Sequence, residues 1–134
     1  MRYMLDTNIC IYLIKNRPPH VLQRLQPLKQ GSAVMSVVTY AELRAGLEMQ
    51  ANDRAQDERV LARLTARIPV LPFDEAAAQS YGLLRAAVRS RSRNAMDRLI
   101  ASHAVGLGLT LVTNNEADFV DYTGLSVENW AAQH

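Results

Sequence analysis

Three acidic side chains stand next to the strand-like runs of this sequence. Asp6 directly follows the apolar residues 1–5, and Glu42 lies near the start of the helical run after the second strand-like run. Asp97 opens the helical run that precedes the apolar residues 109–112. In an open parallel sheet the carboxyl ends of the strands meet at one edge, and ligands bind there. We therefore expect the three carboxylates to lie together at that edge.

A cluster of this kind predicts a divalent metal ion. Carboxylates that are crowded together repel one another unless a cation neutralises them. Hard oxygen ligands without histidine or cysteine partners suit Mg²⁺ or Mn²⁺ better than zinc. The three histidines, His20, His103 and His134, have no ligand-like spacing. A carboxylate site for Mg²⁺, in which Mn²⁺ can substitute, is typical of phosphodiester hydrolysis.

Each acid also has an ordinary structural explanation. Asp6 is a good N-cap for a following helix. Residues 39–42 (TYAE) form a complete capping box, in which Glu42 would fold back onto the amide of Thr39. Asp97 in a first helical turn would complement the helix dipole. The occurrence of all three at one predicted edge favours the metal site over three separate caps.

Other polar residues accompany the same strand ends. Thr7 and Thr113 place hydroxyl groups beside the acids, where they could orient a ligand or serve as caps. Asn115 and Asp118 follow residues 109–112, where turn residues are also expected. These four are possible supporting residues of the site.

Arginines are concentrated just before Asp97. Residues 85–98 contain five of them and a single acid. Such a cluster can neutralise phosphates, although a solvated basic helix end explains it equally well. The candidates for phosphate contact are Arg89, Arg91, Arg93 and Arg98.

Length and composition limit the class of protein that carries these groups. The chain has 134 residues, 49% of them hydrophobic and 21% charged, which predicts one globular domain spanning residues 1–134. Its single cysteine, Cys10, lies in an apolar run, which predicts a buried thiol and a reducing compartment. No run of 18 apolar residues and no signal-peptide pattern is present, so we expect no membrane association and a cytoplasmic protein.

The elements that must position the acids alternate along the chain. Short apolar runs predict strands near residues 1–5, 33–37, 68–71, 109–112 and 125–128. Helical spacing predicts helices at 9–15, 20–28, 39–50, 52–66, 75–88 and 97–105, and one more turn at 114–120. The prolines at 69 and 72 indicate an edge or irregular third strand. Strands too apolar for one wet face, separated by helices, predict an α/β fold with a mostly parallel central sheet covered on both sides.

Four blocks of the sequence, in order, resemble one known family. They are residues 3–12 (YMLDTNICIY), 35–43 (MSVVTYAEL), 97–104 (DRLIASHA) and 111–119 (LVTNNEADF), and the chain closes with Glu128-Asn129-Trp130. With these blocks the chain resembles VapC-type toxins of the PIN-domain ribonuclease family, in particular a bacterial branch that begins "MLDTNI". The resemblance spans the whole chain.

The resemblance implies a three-layer α/β/α fold and Mg²⁺-dependent endoribonuclease activity. It also implies inhibition by a cognate VapB-like antitoxin, homodimers, and larger hetero-oligomers with that antitoxin. Asp6, Glu42 and Asp97 match the three acidic metal-site positions of the family. The fourth position falls at Asn115, where many relatives have aspartate, and Asp118 stands in the acid-before-Phe position. The branch includes enzymes that cut initiator tRNA in the anticodon region, which implies RNA, and specifically tRNA, as substrate.

One segment departs from the family pattern. Relatives often carry a Gly- and Pro-containing loop before the third acid, whereas this chain has residues 91–96 (RSRNAM) there. The departure concerns the loop and its substrate contacts and leaves Asp97 itself in place. The arginine candidates would give affinity for the RNA backbone without sequence readout.

Three other classes of protein compete with a ribonuclease. A PIN fold whose site had decayed could act only by binding, although such a site need not retain Asp6, Glu42 and Asp97. A DNA-directed nuclease would need DNA-gripping elements for which this chain has little room. A receiver domain would need a lysine at the end of a late strand, and the only lysines are Lys15 and Lys29.

Overall fold

The computed structural model of this chain describes residues 1–50, 52–88 and 95–132. Within them the strands are β1 Tyr3–Leu5, β2 Ala33–Ser36, β3 Val70–Leu71, β4 Thr110–Val112 and β5 Val127–Glu128. The helices are α1 Thr7–Lys15, α2 Pro19–Leu25, α3 Val37–Gln50, α4 Arg54–Arg67, α5 Glu75–Ala87 and α6 Ala95–Leu107, with a short 3₁₀ helix at Glu116–Phe119. None of these helices is both long and apolar enough to cross a membrane.

The described strands form one parallel sheet in the order β3-β2-β1-β4-β5. Tyr3 of β1 pairs with Ala33 of β2 on one side and with Thr110 of β4 on the other. The chain winds outward from β1 to β3 and then returns to the opposite side for β4 and β5, so the strand order reverses between β1 and β4. The crevice beyond the carboxyl ends of these two strands is where this class of sheet binds ligands.

Both faces of the sheet are buried. On β1, Tyr3 and Leu5 belong to one core cluster and Met4 to the other. The first cluster packs under α1 to α4 and includes Cys10, whose thiol is fully buried and has its pKa raised by that burial. The second cluster packs under α5 and α6. The three layers explain why the central strands β1, β2 and β4 are mostly apolar, and they confirm the α/β/α class that the sequence predicted.

Most of the predicted elements are present with shifted ends. β3 is an edge strand, as its prolines indicated. Asp74 caps α5 as expected, since its Oδ1 accepts a hydrogen bond from the amide of Ala77 at 2.9 Å. The predicted end of α6 at Val105 is two residues too early, because the helix continues to Leu107 and turns at Gly108 with a φ of 69°.

The start of α3 differs from the capping-box interpretation. The helix begins at Val37, directly after β2, and Ser36 Oγ accepts a hydrogen bond from the amide of Val38 at 3.1 Å. Thr39 therefore lies inside the helix and cannot serve as its N-cap. A strand that passes into a helix without a loop holds the first turns of α3 close to the sheet edge.

Candidate active site

Asp6 occupies the reversal point of the sheet. Its amide donates to the carbonyl of Val112 at 2.9 Å, which extends the pairing of β1 with β4 by one bond. Its carboxylate caps α1 by accepting from the amide of Ile9 at 3.0 Å and also bonds to the side chain of Thr113. Only 7% of the residue is exposed. The N-cap that the sequence suggested is therefore real, and it holds an acid that is almost completely buried.

The buried position changes the acidity of this group. Burial is the largest cause that raises the pKa of Asp6, from 3.8 to about 6, against the hydrogen bonds from Thr113 and Ile9, which lower it. The negative charges of Asp97 and Glu42 raise it further. The three acids are therefore close enough to act on one another, as their positions at strand and helix ends predicted.

Glu42 lies on the second turn of α3 and faces α1. Its Oε1 accepts a short hydrogen bond from the hydroxyl of Thr7, whose oxygen is also 3.3 Å from the hydroxyl oxygen of the buried Thr39. Thr7 is the first residue of α1, directly after Asp6. The two threonines thus place the carboxylate of Glu42 beside the N-terminus of the helix that Asp6 caps.

Asp97 lies in the first turn of α6 and is partly exposed. α6 precedes β4, whereas α1 and α3 follow β1 and β2, so all three helices have their N-termini at the carboxyl edge of the sheet. Helix N-termini carry partial positive charge, which favours carboxylates and phosphates at this edge.

The supporting residues divide into two groups. Thr113 is buried, bonds to Asp6, and accepts from the amide of Asn115 at 3.1 Å. Thr7 contacts Glu42. The side-chain amide of Asn115 donates a hydrogen bond to the carboxylate of Asp118. Their part in the site stays a prediction.

Sequence reasoning missed a polar row beside Asp6. The side-chain amide of Asn8 donates to Asn114 Oδ1 at 3.3 Å, and Asn114 donates to the hydroxyl of Tyr12 at 2.9 Å. These contacts join residues more than 100 positions apart, and no local pattern indicates them. The row ties the first turns of α1 to the loop after β4.

The arginine candidates are not equally placed. Arg98 is buried on α6, with 9% of its surface exposed, so little of it is open to a phosphate. Arg89, Arg91 and Arg93 lie outside the described residues. The unusual segment 91–96 also lies outside them, apart from Ala95 and Met96, which are the first two residues of α6.

The donor set of the site suits a hard divalent cation, since it consists of carboxylate, hydroxyl and amide oxygens. As positioned, no three histidine, cysteine, aspartate or glutamate side chains among the described residues converge closely enough to hold a metal ion. The contacts give the reason, because Asp6 is turned towards Ile9 and Thr113 and Glu42 towards Thr7. Binding through Asp6 and Asp97, with Glu42 acting through water, would keep the Thr7 contact, whereas direct ligation by Glu42 would break it.

The sequence also matches the model of a known family. The PIN domain model matches residues 3–125 of this sequence. The chain therefore belongs to the PIN domain family, and it is similar to VapC ribonucleases of that family.

Three comparisons support that branch. The chain is 40% identical to the tRNA(fMet)-specific endonuclease VapC of Shigella flexneri, over 98% of this chain and 99% of that protein. It is 38% identical to ribonuclease VapC1 of Haemophilus influenzae strain R2866, over 97% and 98%. The crystal structure of VapBC2 from Rickettsia felis bound to a DNA fragment from their promoter matches with a TM-score of 0.87 and 34% identity, over 97% of this chain and 99% of that one. The family resemblance of the sequence is confirmed.

Proposed function

We propose that this chain is the toxin of a type II toxin–antitoxin pair and a metal-dependent endoribonuclease that hydrolyses RNA phosphodiester bonds. The observation that carries the proposal is the environment of Asp6. Its carboxyl group is buried at the reversal point of the sheet, and its pKa is raised to about 6 by that burial and by the charges of Asp97 and Glu42. An exposed aspartate would cap α1 equally well. A buried acid held beside two others is more typical of a functional site than of a cap.

Each acid of the site has a separate role in the proposed hydrolysis. A bound Mg²⁺ supplies Lewis acidity towards the phosphate and makes water a stronger acid. Asp6 and Asp97 would hold the ion through their carboxylate oxygens, and Thr113 fixes the orientation of Asp6. Glu42, oriented by Thr7, accepts a proton from the attacking water. The water oxygen would bond to phosphorus as the bond to the leaving ribose oxygen breaks, and that oxygen would take a proton from solvent water.

We propose tRNA as the substrate, with initiator tRNA cut in its anticodon region. The support is the tRNA(fMet) specificity of the Shigella flexneri relative. The test incubates the purified chain and Mg²⁺ with initiator tRNA, elongator methionine tRNA and a matched single-stranded DNA, and maps the cut ends. We expect one cut in the anticodon region of the initiator tRNA. Equal cutting of DNA would indicate a DNA-directed nuclease, and RNA binding without cutting would indicate a binding module.

An apolar groove beside the site offers a place for an antitoxin. It has a volume of about 300 Å³ and lies between α1, α3 and α4. Its lining is apolar apart from a few groups that include Lys15, Glu42 and Asp57. We propose that a VapB-like antitoxin inserts an apolar segment with a basic side chain here. Such a segment would neutralise the two acids and block access to Glu42. The support is the lining itself and the VapBC assembly of the structural relatives.

Gly46 provides a test of the groove. It lies exposed on α3 in the groove wall, and a Cβ built on it meets nothing within 4 Å. Gly46→Leu should therefore fold at least as well as the parent, since leucine is about 0.8 kcal/mol better than glycine in a helix. We expect at least a tenfold weaker antitoxin affinity by calorimetry. The antitoxin would have to displace the leucine side chain from the groove, which costs more than about 1.4 kcal/mol of binding free energy, and that amount corresponds to tenfold in Kd.

The matched control is Gly82→Leu on α5, where a Cβ is equally unobstructed and the groove is not involved. The control should bind the antitoxin like the parent. Equal binding by both variants would place the antitoxin elsewhere.

The arginines before α6 remain candidates for the RNA backbone. Replacing Arg89, Arg91 and Arg93 together with alanine should weaken RNA binding and flatten its salt dependence. For single-stranded RNA each lost phosphate contact should lower the log–log slope by roughly 0.7. Arg59→Ala, on the exposed surface of α4, is the control. A slope that the triple variant leaves unchanged would assign the cluster to the antitoxin or to solvent.

Assembly and location follow from the same proposal. A homodimer, and a larger hetero-oligomer with the antitoxin, are predictions that light scattering of the free and antitoxin-bound chain can test. We also propose a cytoplasmic location, which a tRNA substrate would support.

A further inference from the structure

His103 makes buried contacts that the proposed chemistry does not use. It lies on α6, six residues after Asp97, with 1% of its surface exposed. Its Nδ1 is 2.8 Å from Oγ of Ser36, the last residue of β2. Its ring packs edge to face on Phe73 at 5.3 Å, and it has a backbone hydrogen bond to Pro72.

The partners fix the direction of each hydrogen bond. Ser36 Oγ accepts from the amide of Val38 and so has its own proton available for His103 Nδ1. The Pro72 carbonyl can only accept, so a ring nitrogen of His103 donates to it, and because Nδ1 faces Ser36 we assign this hydrogen to Nε2. Burial lowers the pKa of His103, against the Asp74 charge and the Pro72 bond, which agrees with a neutral ring. The hydrogen bonds therefore run in one sense from Val38 through Ser36 and His103 to Pro72.

This chain of hydrogen bonds joins the two helices that carry Glu42 and Asp97 to the segment between β3 and α5. Ser36 stands at the junction of β2 and α3, and its side chain caps the helix that carries Glu42. His103 belongs to the helix that carries Asp97. Pro72 lies between β3 and α5. Along the two helices the Ser36–His103 bond is therefore six residues from each acid, or about 9 Å at 1.5 Å per residue.

We propose that His103 and Ser36 are positioning residues that set the separation of Glu42 and Asp97. The inference rests on the proposed nuclease function and adds to it a buried pair that never contacts the substrate. α3 enters from β2 without a loop, so a shift at Ser36 moves the whole first part of the helix. A misplacement of a catalytic group by about 1 Å can cost roughly 100-fold in rate.

Two amide variants of His103 separate the bond to Ser36 from the bond to Pro72. His103→Gln reaches the Pro72 carbonyl with its amide nitrogen but gives Ser36 no acceptor. His103→Asn places its oxygen where Nδ1 stands and keeps the Ser36 bond. With kcat measured per folded molecule, we expect His103→Gln to lose roughly 10- to 100-fold with KM for RNA within twofold of the parent. His103→Asn should recover most of that loss.

The second measurement is a double-mutant cycle with Ser36→Ala. If the pair acts as one unit, the double variant loses no more kcat than the worse single variant. His20→Gln is the control, because His20 also bonds to a backbone carbonyl, that of Ala131, but on α2 and away from both acids. Its kcat should stay within twofold of the parent.

The outcomes are distinct. An active parent with full kcat in His103→Gln, or losses that add in the double variant, would overturn the positioning role and leave the nuclease proposal standing. A parent that cleaves no RNA would overturn both. A kcat loss in His103→Gln that His103→Asn repairs supports the pair.

Discussion

Asp6→Asn should lose at least about 100-fold in RNA cleavage while becoming more stable than the parent in the absence of divalent cations. Mutation of a residue that only hydrogen-bonds to a metal ligand typically lowers metal affinity or activity roughly 10- to 100-fold. Asp6 is proposed as a direct ligand, so its loss should cost at least as much. Asparagine keeps the shape and is as good an N-cap as aspartate, so α1 should remain capped. Expressed alone, the parent should stop growth and the variant should not.

The stability gain follows from the pKa of Asp6. The folded state holds this proton up to a pH of about 6, whereas the unfolded chain releases it near 3.8. The folded state therefore binds more protons between these values, and the parent loses stability as pH rises through that window. About two pKa units correspond to roughly 3 kcal/mol at pH 7, or about 10 °C in Tm for a chain of this size.

Thermal melting in chelator, followed from pH 4 to 7.5, measures the effect. Near pH 4 the parent and the variant should have the same Tm. As the pH rises, the Tm of the variant should exceed that of the parent by an increasing amount. A variant that is equally toxic, or one that melts below the parent at pH 7, would remove Asp6 from the metal site and return it to a simple cap.

Glu42→Gln should lose roughly 100- to 10,000-fold in cleavage rate with an unchanged melting temperature. The amide oxygen of glutamine can still accept the hydrogen bond from Thr7, so the contact between α1 and α3 is kept. The amide cannot take a proton from water, and loss of general base catalysis typically costs 10²- to 10⁴-fold. Single-turnover cleavage beside a melting curve separates the two effects.

Glu48→Gln is the matched control on the same helix. Glu48 is exposed and pairs with Arg54 at 2.6 Å, away from the site. Its substitution should leave the cleavage rate unchanged. If Glu42→Gln also cleaves like the parent, the role of Glu42 is to hold Thr7 and not to take part in the reaction.

The order and type of the elements could be predicted from the sequence because the central strands β1, β2 and β4 are mostly buried. A strand that is buried on both faces has a nearly continuous apolar sequence, such as residues 109–112, and the turn residues that follow it mark its end. Asp6 could be placed at the sheet edge for the same reason. Its burial could not, because that depends on Thr113 and on helices that are distant in sequence.

The capping box failed for a physical reason. Residues 39–42 match the motif, but Ser36 caps the helix three residues earlier, so Thr39 is already inside it. Glu42 then turns to Thr7, a partner 35 residues away that no local spacing reveals. The His103–Ser36 bond is equally invisible to sequence patterns, since it joins positions 67 residues apart.

The rate of RNA cleavage as a function of Mg²⁺ concentration tests the central claim most directly. The measurement starts from chelated protein, free of antitoxin, and runs beside Asp97→Asn. We predict no cleavage in chelator, a rate that rises and saturates with Mg²⁺ in the parent, and a rate at least about 100-fold lower in the variant at every concentration. Cleavage at the same rate in chelator, or by Asp97→Asn as by the parent, would contradict a metal-dependent nuclease built on these acids.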